Sequence, residues 1–384
     1  MTAAPPPVAP AGVYVHVPFC AIRCTYCDFP TVAGQDARIP AYLDALDREI
    51  GAFQREVEGP VDTVYLGGGT PSRLLPAQVA RILRAVRDRF GVAETAEVTL
   101  EANPESLTED VLPGFVEAGV TRISVGVQSL DDRVLRAVGR AHDAAGAERA
   151  VARAVELGGG VQVNADLIAG LPGEDLDRWG DTVERVASWG TDHVSVYLLE
   201  TDKDTPLSRA VRSGKTTVAD DDGQAEAYVR TVEHLRAAGL EAYEISNFAR
   251  GGRQSRHNLK YWTDAPYAAF GLGAHGYAGG TRRANRRDLA GYLDALSQGL
   301  DPLDWSEGFD AARRLGEALM LGLRLARGVD LDVLSARYGI DVRARYAPDW
   351  ERAKDAGLLV LEGGLARLTP EGWLRCNELF VAFV

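Results

Sequence analysis

Four cysteines in 384 residues are too few for a disulfide framework. Positive charge is also short, since 42 Lys+Arg against 55 Asp+Glu leave a net charge of −13, and the basic residues are almost all arginine. So acidic a chain lacks the clustered positive charge that general nucleic-acid or anionic-membrane binding relies on. No apolar run approaches the roughly 18–20 residues of a membrane span. Met1–Gly12 has neither the basic start nor the apolar segment of a secretion signal. Its Pro5, Pro6, Pro7 and Pro10 suggest a short extended tail over residues 1–11. At 46% apolar and 25% charged, the chain has the composition of a soluble globular protein, expected in the cytoplasm.

From Val13 to about Leu199, β-rich runs alternate with amphipathic stretches. The runs are Val13–Val17, Val61–Leu66, Glu97–Glu101, Thr121–Val127, Val161–Ile168 and His193–Leu199; helices are expected at Tyr42–Val57, Pro76–Phe90, Thr108–Ala118, Ala144–Leu157 and Asp175–Trp189. Such alternation implies parallel βαβ units. Periodicity alone fits a doubly wound sheet as well as a barrel. The unusual residues settle on strand ends, where barrels gather their chemistry, so the expected fold is α/β, a partial (β/α)6 barrel. Thr201–Leu300 is less regular, with one convincing helix, Asp221–Ala238. Beyond it, helices at Ala311–Ala326, Leu331–Arg337 and Ala344–Ala356, a hairpin through Gly363–Gly364 and a last helix from Pro370 suggest a winged-helix-like module. From Asp301 onward 11 basic and 14 acidic residues give 11 − 14 = −3, which argues against DNA as its partner.

Cys20-x3-Cys24-x2-Cys27 directly follows the first strand. Clustered cysteines in a reducing compartment point to metal or redox chemistry. Three thiolates so close together can wrap one iron–sulfur cluster, each capping a different iron. A four-iron cubane then keeps one iron without a protein ligand, open to an amine and a carboxylate. The competing reading is a closed zinc site with His16 or Cys376 as fourth ligand.

The stretch from Gly12 to Phe29 resembles the radical S-adenosylmethionine superfamily, and more narrowly its oxygen-independent coproporphyrinogen oxidase group and the HemW-type heme chaperones within it. The likeness runs to the C-terminus through Leu66-Gly-Gly-Gly-Thr-Pro-Ser72, Glu101-Ala-Asn-Pro104, Ser124-Val-Gly-Val-Gln128, Arg140 and Asn164-Ala-Asp166. It implies a [4Fe-4S] cluster on Cys20, Cys24 and Cys27. It also implies S-adenosylmethionine contacts from Tyr14, Gly68, Gly69, Thr70, Glu101, Gln128, Arg140 and Asp166, with Tyr26 along the adenine. The expected division is a barrel over 12–235, a family-specific extension over 236–303 and the C-terminal module over 304–384.

Two features separate the branches. The oxidases carry a further cysteine where this chain has Phe29, and a longer segment ahead of the first strand. Arg256-His257-Asn258-Leu259-Lys260-Tyr261-Trp262 resembles the His-Asn-x-x-Tyr-Trp motif of the chaperones. There His257 is a candidate axial ligand for heme, Tyr261 and Trp262 offer aromatic faces, and Arg253, Arg256 and Lys260 suit propionates. His275 and Cys376 are rival ligands, although Cys376 among leucines reads better as a core thiol. The run Arg282–Arg287 reads as a solvated face in preference to a propionate clamp. The resemblance implies heme transfer to an acceptor apoprotein and a homodimer. The alternative is radical decarboxylation of coproporphyrinogen III, which needs an electron-donor protein.

Overall fold

The structure, a computed structural model, describes residues 11–54, 59–157 and 160–383. Apart from Ala11, the expected proline-rich tail lies outside the described residues, as does Val57 at the expected end of the first helix. Six parallel strands form the centre: β1 (Gly12–Val17), β2 (Val61–Gly68), β3 (Val92–Ala102), β4 (Arg122–Gln128), β5 (Gln162–Ala169) and β6 (His193–Leu198). They pair in chain order. Helices Ile39–Ala52, Pro76–Phe90, Leu112–Ala118, Ala144–Glu156 and Trp179–Ala187 lie between them. Each strand and helix falls within a few residues of its sequence-based expectation.

The region that looked irregular supplies the edges of the same sheet. Short strands β7 (Glu241–Ala242) and β8 (Asn247–Ala249) continue it antiparallel beyond β6. On the opposite side β9 (Tyr267–Phe270) pairs parallel with β1, and β10 (His275–Ala278), β11 (Thr281–Asn285) and β12 (Leu303–Gly308) follow antiparallel. The open twelve-stranded order is β12-β11-β10-β9-β1-β2-β3-β4-β5-β6-β8-β7. Residues 236–303 therefore flank the barrel in its own sheet, and Phe270, Leu289 and Tyr292 join the barrel's apolar core.

The period-2 rule decides what the barrel encloses. Val13, Val15, Val64, Leu66, Val98, Leu100, Ile123, Val125, Val163 and Val194 pack in the large core cluster. Their neighbours in sequence are polar and equally buried: Thr63, Glu97, Thr99, Arg122, Ser124, Asn164, His193 and Ser195. Barrels are ordinarily filled with branched apolar side chains. A polar lining of this kind needs hydrogen-bond partners for every group, and most of them are found within the lining.

The C-terminal module has its own core, with Leu315, Leu319, Leu331, Trp350 and Phe380 in a separate cluster. Its helices Ala311–Gly322, Leu331–Tyr338 and Ala347–Asp355 precede the hairpin Leu359–Glu362 and Leu365–Leu368, which Val329–Asp330 extends to three strands. Among the described residues no helix is long and apolar enough to cross a membrane.

Candidate cofactor site at the barrel mouth

The cysteine loop leaves β1 and is pinned at several backbone points. Phe19–Cys20 pairs parallel with Val32–Ala33, and the Thr25 amide donates to the Val138 carbonyl at 3.0 Å. The Leu207 amide donates to the Thr25 carbonyl at 2.9 Å. Cys20, Cys24 and Cys27 are all half-buried and none is in a disulfide. Thr70 Oγ1 donates to Cys20 Sγ, and Arg140 donates to Cys24 Sγ, each at 3.6 Å. Burial pushes the Cys27 thiol up to about 11 and raises that of Cys20. A metal must therefore displace protons to bind here, as thiolate ligation generally does.

The donor set fits a cluster better than zinc. A closed zinc site would need a fourth ligand beside the three cysteines. Both expected fourth ligands are committed elsewhere. His16 meets the Tyr14 hydroxyl at 3.0 Å through Nδ1 and the Pro30 carbonyl at 3.1 Å through Nε2. Cys376 is buried in the core of the C-terminal module. Arg140 Nε and Thr25 Oγ1 are buried polar atoms with no partner, and both residues adjoin the cysteines.

The glycines at the end of β2 are required by close approach. Gly68 has φ of 111°, and a Cβ there would stand 2.3 Å from the His16 ring. A Cβ at Gly69 would stand 2.7 Å from the Pro18 carbonyl carbon. Both lie outside what an L side chain tolerates. Glu101 takes a hydrogen bond from the Gly68 amide at 2.9 Å and another from the Tyr65 hydroxyl at 2.8 Å. Burial, reinforced by the negative charge of Asp166, raises Glu101 to about 7. Asp166 accepts from Ser124 Oγ at 2.8 Å and Asn164 Nδ2 at 2.7 Å, and burial raises it too. Two half-buried carboxylates facing one lumen, with no lysine or arginine bonded to either among the described residues, are suited to a ligand rich in N–H and O–H donors.

Arg140 closes the far side. It donates to the Asn103 side chain at 2.8 Å and to the Gly126 carbonyl at 2.7 Å. Gln128 ends β4 at φ of 67°, a conformation costly for a non-glycine residue, and its amide group curls over Gly126. Tyr14 stacks on Tyr65 with ring centroids 6.0 Å apart, and Tyr26 lies half-buried within the cysteine loop. The residues expected around S-adenosylmethionine thus come from β1, β2 and the turn after it, β3, β4, β5, the cysteine loop and, for Arg140, the loop after the helix Asp132–Ala137. Asn103, Tyr65, Ser124 and Asn164 complete this network as its second partners. Their sequence signal is the polar half of the alternating strands.

The residues expected to hold heme do not join this mouth. Helix Arg256–Trp262 inserts at the start of the strands, where His257 and Arg256 amides donate to the Glu97 carboxylate at 3.0 and 3.1 Å. Fully buried Arg122 bonds the same carboxylate and the Arg253 and Gln254 carbonyls. His257 is 0% exposed. Its Nδ1 meets Thr63 Oγ1 at 2.8 Å, and its Nε2 meets the Tyr261 hydroxyl at 3.0 Å. Burial pushes its pKa down to about 3. Both ring nitrogens of His257, the expected axial ligand, are thus engaged within the chain, and the imidazole forms part of the barrel floor. Trp262 is half-buried beneath the Arg324 guanidinium, 5.9 Å from its ring centroid, and Lys260 pairs with Asp62 at 2.7 Å.

Residues 14–186 match the radical SAM superfamily, and residues 309–375 match the HemN C-terminal domain. The chain is 40% identical over 380 residues to the heme chaperone HemW of Mycobacterium tuberculosis, covering 98% of this chain and 95% of that one. It is 32% identical over 375 residues to the heme chaperone HemW of Bacillus subtilis, covering 97% and 99%. Its fold matches that of the coproporphyrinogen III oxidase HemN from Escherichia coli with a TM-score of 0.84 at 23% identity, covering 99% of this chain and 91% of that one.

Proposed function

Because the chain belongs to the HemW heme chaperone family of the radical SAM superfamily, we propose that it binds heme and passes it to an acceptor apoprotein, and that it carries a [4Fe-4S] cluster with exchangeable S-adenosylmethionine at the barrel mouth. The observation that carries the cofactor part is the convergence of the Cys20–Cys27 loop, the Gly68–Gly69 cradle and the Glu101–Asp166 carboxylates on one opening. Cys20, Cys24 and Cys27 would hold the cluster. When bound and reduced, such a cluster can supply an electron to the sulfonium of S-adenosylmethionine.

The chain's own residues supply position. Gly68 and Gly69 let backbone groups approach the ligand without side chains in between. Glu101 is placed for hydroxyl donors, and Arg140 holds the cysteine loop to β4 through Cys24 and the Gly126 carbonyl. Tyr14, Tyr26, Thr70, Gln128 and Asp166 would complete the contacts to the ligand. Phe29 stands 57% exposed where an oxidase would have a further cysteine, which favours the chaperone over porphyrinogen decarboxylation.

The test is anaerobic reconstitution of the full chain, followed by hemin titration and by incubation with reductant, S-adenosylmethionine and coproporphyrinogen III. Stoichiometric heme uptake without protoporphyrinogen formation is the expected result. Turnover of the porphyrinogen, or no heme uptake, overturns the chaperone reading.

A further inference from the structure

The sequence holds six histidines, and the fold disposes of five. His16, His193 and His257 are buried with both ring nitrogens hydrogen-bonded. His142 is buried, with Nε2 on the Val127 carbonyl. His234 is half-buried, with Nδ1 on Glu184 at 2.7 Å. His275, on β10, is exposed, and among the described residues neither of its nitrogens has a hydrogen-bond partner. Among the described residues outside the cysteine loop, Cys376 is buried in the C-terminal core and Met320 packs against it.

The surroundings of His275 suit a flat, dianionic, largely apolar ligand. Across the sheet His275 registers with Ala284, and Ala284 with Trp305, so the three share one row and one face. The small side chain at Ala284 lets the imidazole and the indole approach over it, with ring centroids 5.6 Å apart at 74°. Trp305 is 40% exposed. The arginines on β11 and just beyond it are of two kinds. Arg282 is paired with Glu317 and Arg283 with Asp301. Arg286 and Arg287 are exposed and have no ion pair among the described residues; Arg287 reaches only the Asp28 carbonyl, at 3.0 Å. That contact ties this edge of the sheet to the cysteine loop. Gly273 abuts Pro30, so exposed Phe29 lies between the two attachments.

We propose that heme seats on this outer face of β10–β12, beside the cysteine loop, with His275 as axial ligand, Trp305 against the porphyrin and Arg286 and Arg287 on the propionates. The inference rests on the heme-binding reading above and moves the site from the floor of the barrel to its rim.

Hemin titration of the anaerobically prepared full chain tests it, read by the Soret band and by electron paramagnetic resonance of the ferric iron. Wild type should take up one heme per chain. His275→Ala should shift the Soret band and weaken binding by more than about tenfold, the loss seen even for groups that merely orient a metal ligand. Added imidazole should restore the wild-type spectrum. Arg286→Ala/Arg287→Ala should weaken hemin but leave heme dimethyl ester unaffected. Wild-type spectrum and affinity in His275→Ala would overturn this site while leaving heme binding intact. No uptake by wild type would overturn the heme reading itself.

Discussion

Replacing His257 by alanine separates a structural role from a heme-ligating one. The imidazole is fully buried between Thr63 Oγ1 and the Tyr261 hydroxyl, with its ring 5.2 Å from that of Tyr65 and 5.3 Å from that of Tyr261. Truncation leaves two buried hydroxyls short of a partner, at about 1–3 kcal/mol each, and opens a ring-sized cavity. Large-to-alanine changes in cores cost about 2–5 kcal/mol in all, and a polar neighbourhood can admit a water that recovers part of the loss. The barrel should therefore lose about 3–5 kcal/mol. Against total stabilities of about 5–15 kcal/mol, the variant should still fold in the cold.

The assay is urea unfolding without oxygen, following the barrel transition separately because the C-terminal module has its own core. A second arm uses pH. The folded pKa of His257 is about 3, below its ordinary value of 6.5, so the unfolded chain binds the extra proton between them. Stability from this residue is present above about pH 6.5 and is lost as pH falls toward 3, by about 1.4 kcal/mol per unit. The difference between wild type and variant should shrink across that window. A destabilisation below about 1 kcal/mol, or a pH-independent difference, refutes the burial argument. Loss of the heme spectrum in variant protein that remains folded would return the ligand to the floor.

Changing any one of Cys20, Cys24 or Cys27 to serine should abolish bound iron and the broad visible absorption after anaerobic reconstitution, measured by elemental analysis and spectrophotometry, whereas Cys376→Ser should leave both unchanged. Cys376→Ser should instead weaken the C-terminal module by about 1–3 kcal/mol in thermal unfolding, because it buries a hydroxyl in an apolar cluster. Glu101, held up at about 7 by burial, must ionise to accept ligand hydroxyls fully, so S-adenosylmethionine affinity should rise with pH up to about 7 and level off above it. Calorimetry checks this, and Glu101→Gln should bind more weakly with a flat pH profile. An unchanged profile in the variant would remove Glu101 from the site.

The six central strands were legible because each is a β-branched run of the right length between helical stretches, and because their functional residues fall on strand ends. The seventh parallel strand, Tyr267–Phe270, was not. Four residues of Tyr-Ala-Ala-Phe carry no periodicity, and their place beside β1 is set by a contact over 250 residues distant in sequence. The helix Arg256–Trp262 was similarly opaque. Its seven residues read as a loop motif, yet it starts where Ser255 Oγ accepts from the Asn258 amide and the Glu97 carboxylate takes the His257 and Arg256 amides under its first turn. The cysteine loop and the glycines stood out by pattern, whereas Glu101 and Asp166 were named from the resemblance to the superfamily. Their partners Asn103, Tyr65 and Asn164 required knowing which face of each strand turns inward.

That inward face also links the two ends of the barrel. Tyr65 packs against the His257 ring below, tilted 31° to it, and donates to Glu101 above, and Glu101 in turn holds the Gly68 amide. The floor motif therefore touches the cofactor mouth through one tyrosine and one carboxylate. A lining of buried carboxylates and hydroxyls is less stabilising than valine and leucine would be. Glu101 and Asp166, both raised by burial, show that the desolvation is only partly offset within the chain. A ligand that brings hydroxyl and ammonium donors to those two oxygens relieves that deficit, so its binding should stabilise the barrel in proportion to occupancy. A polar lumen of this kind is one that a donor-rich ligand at the mouth would complete.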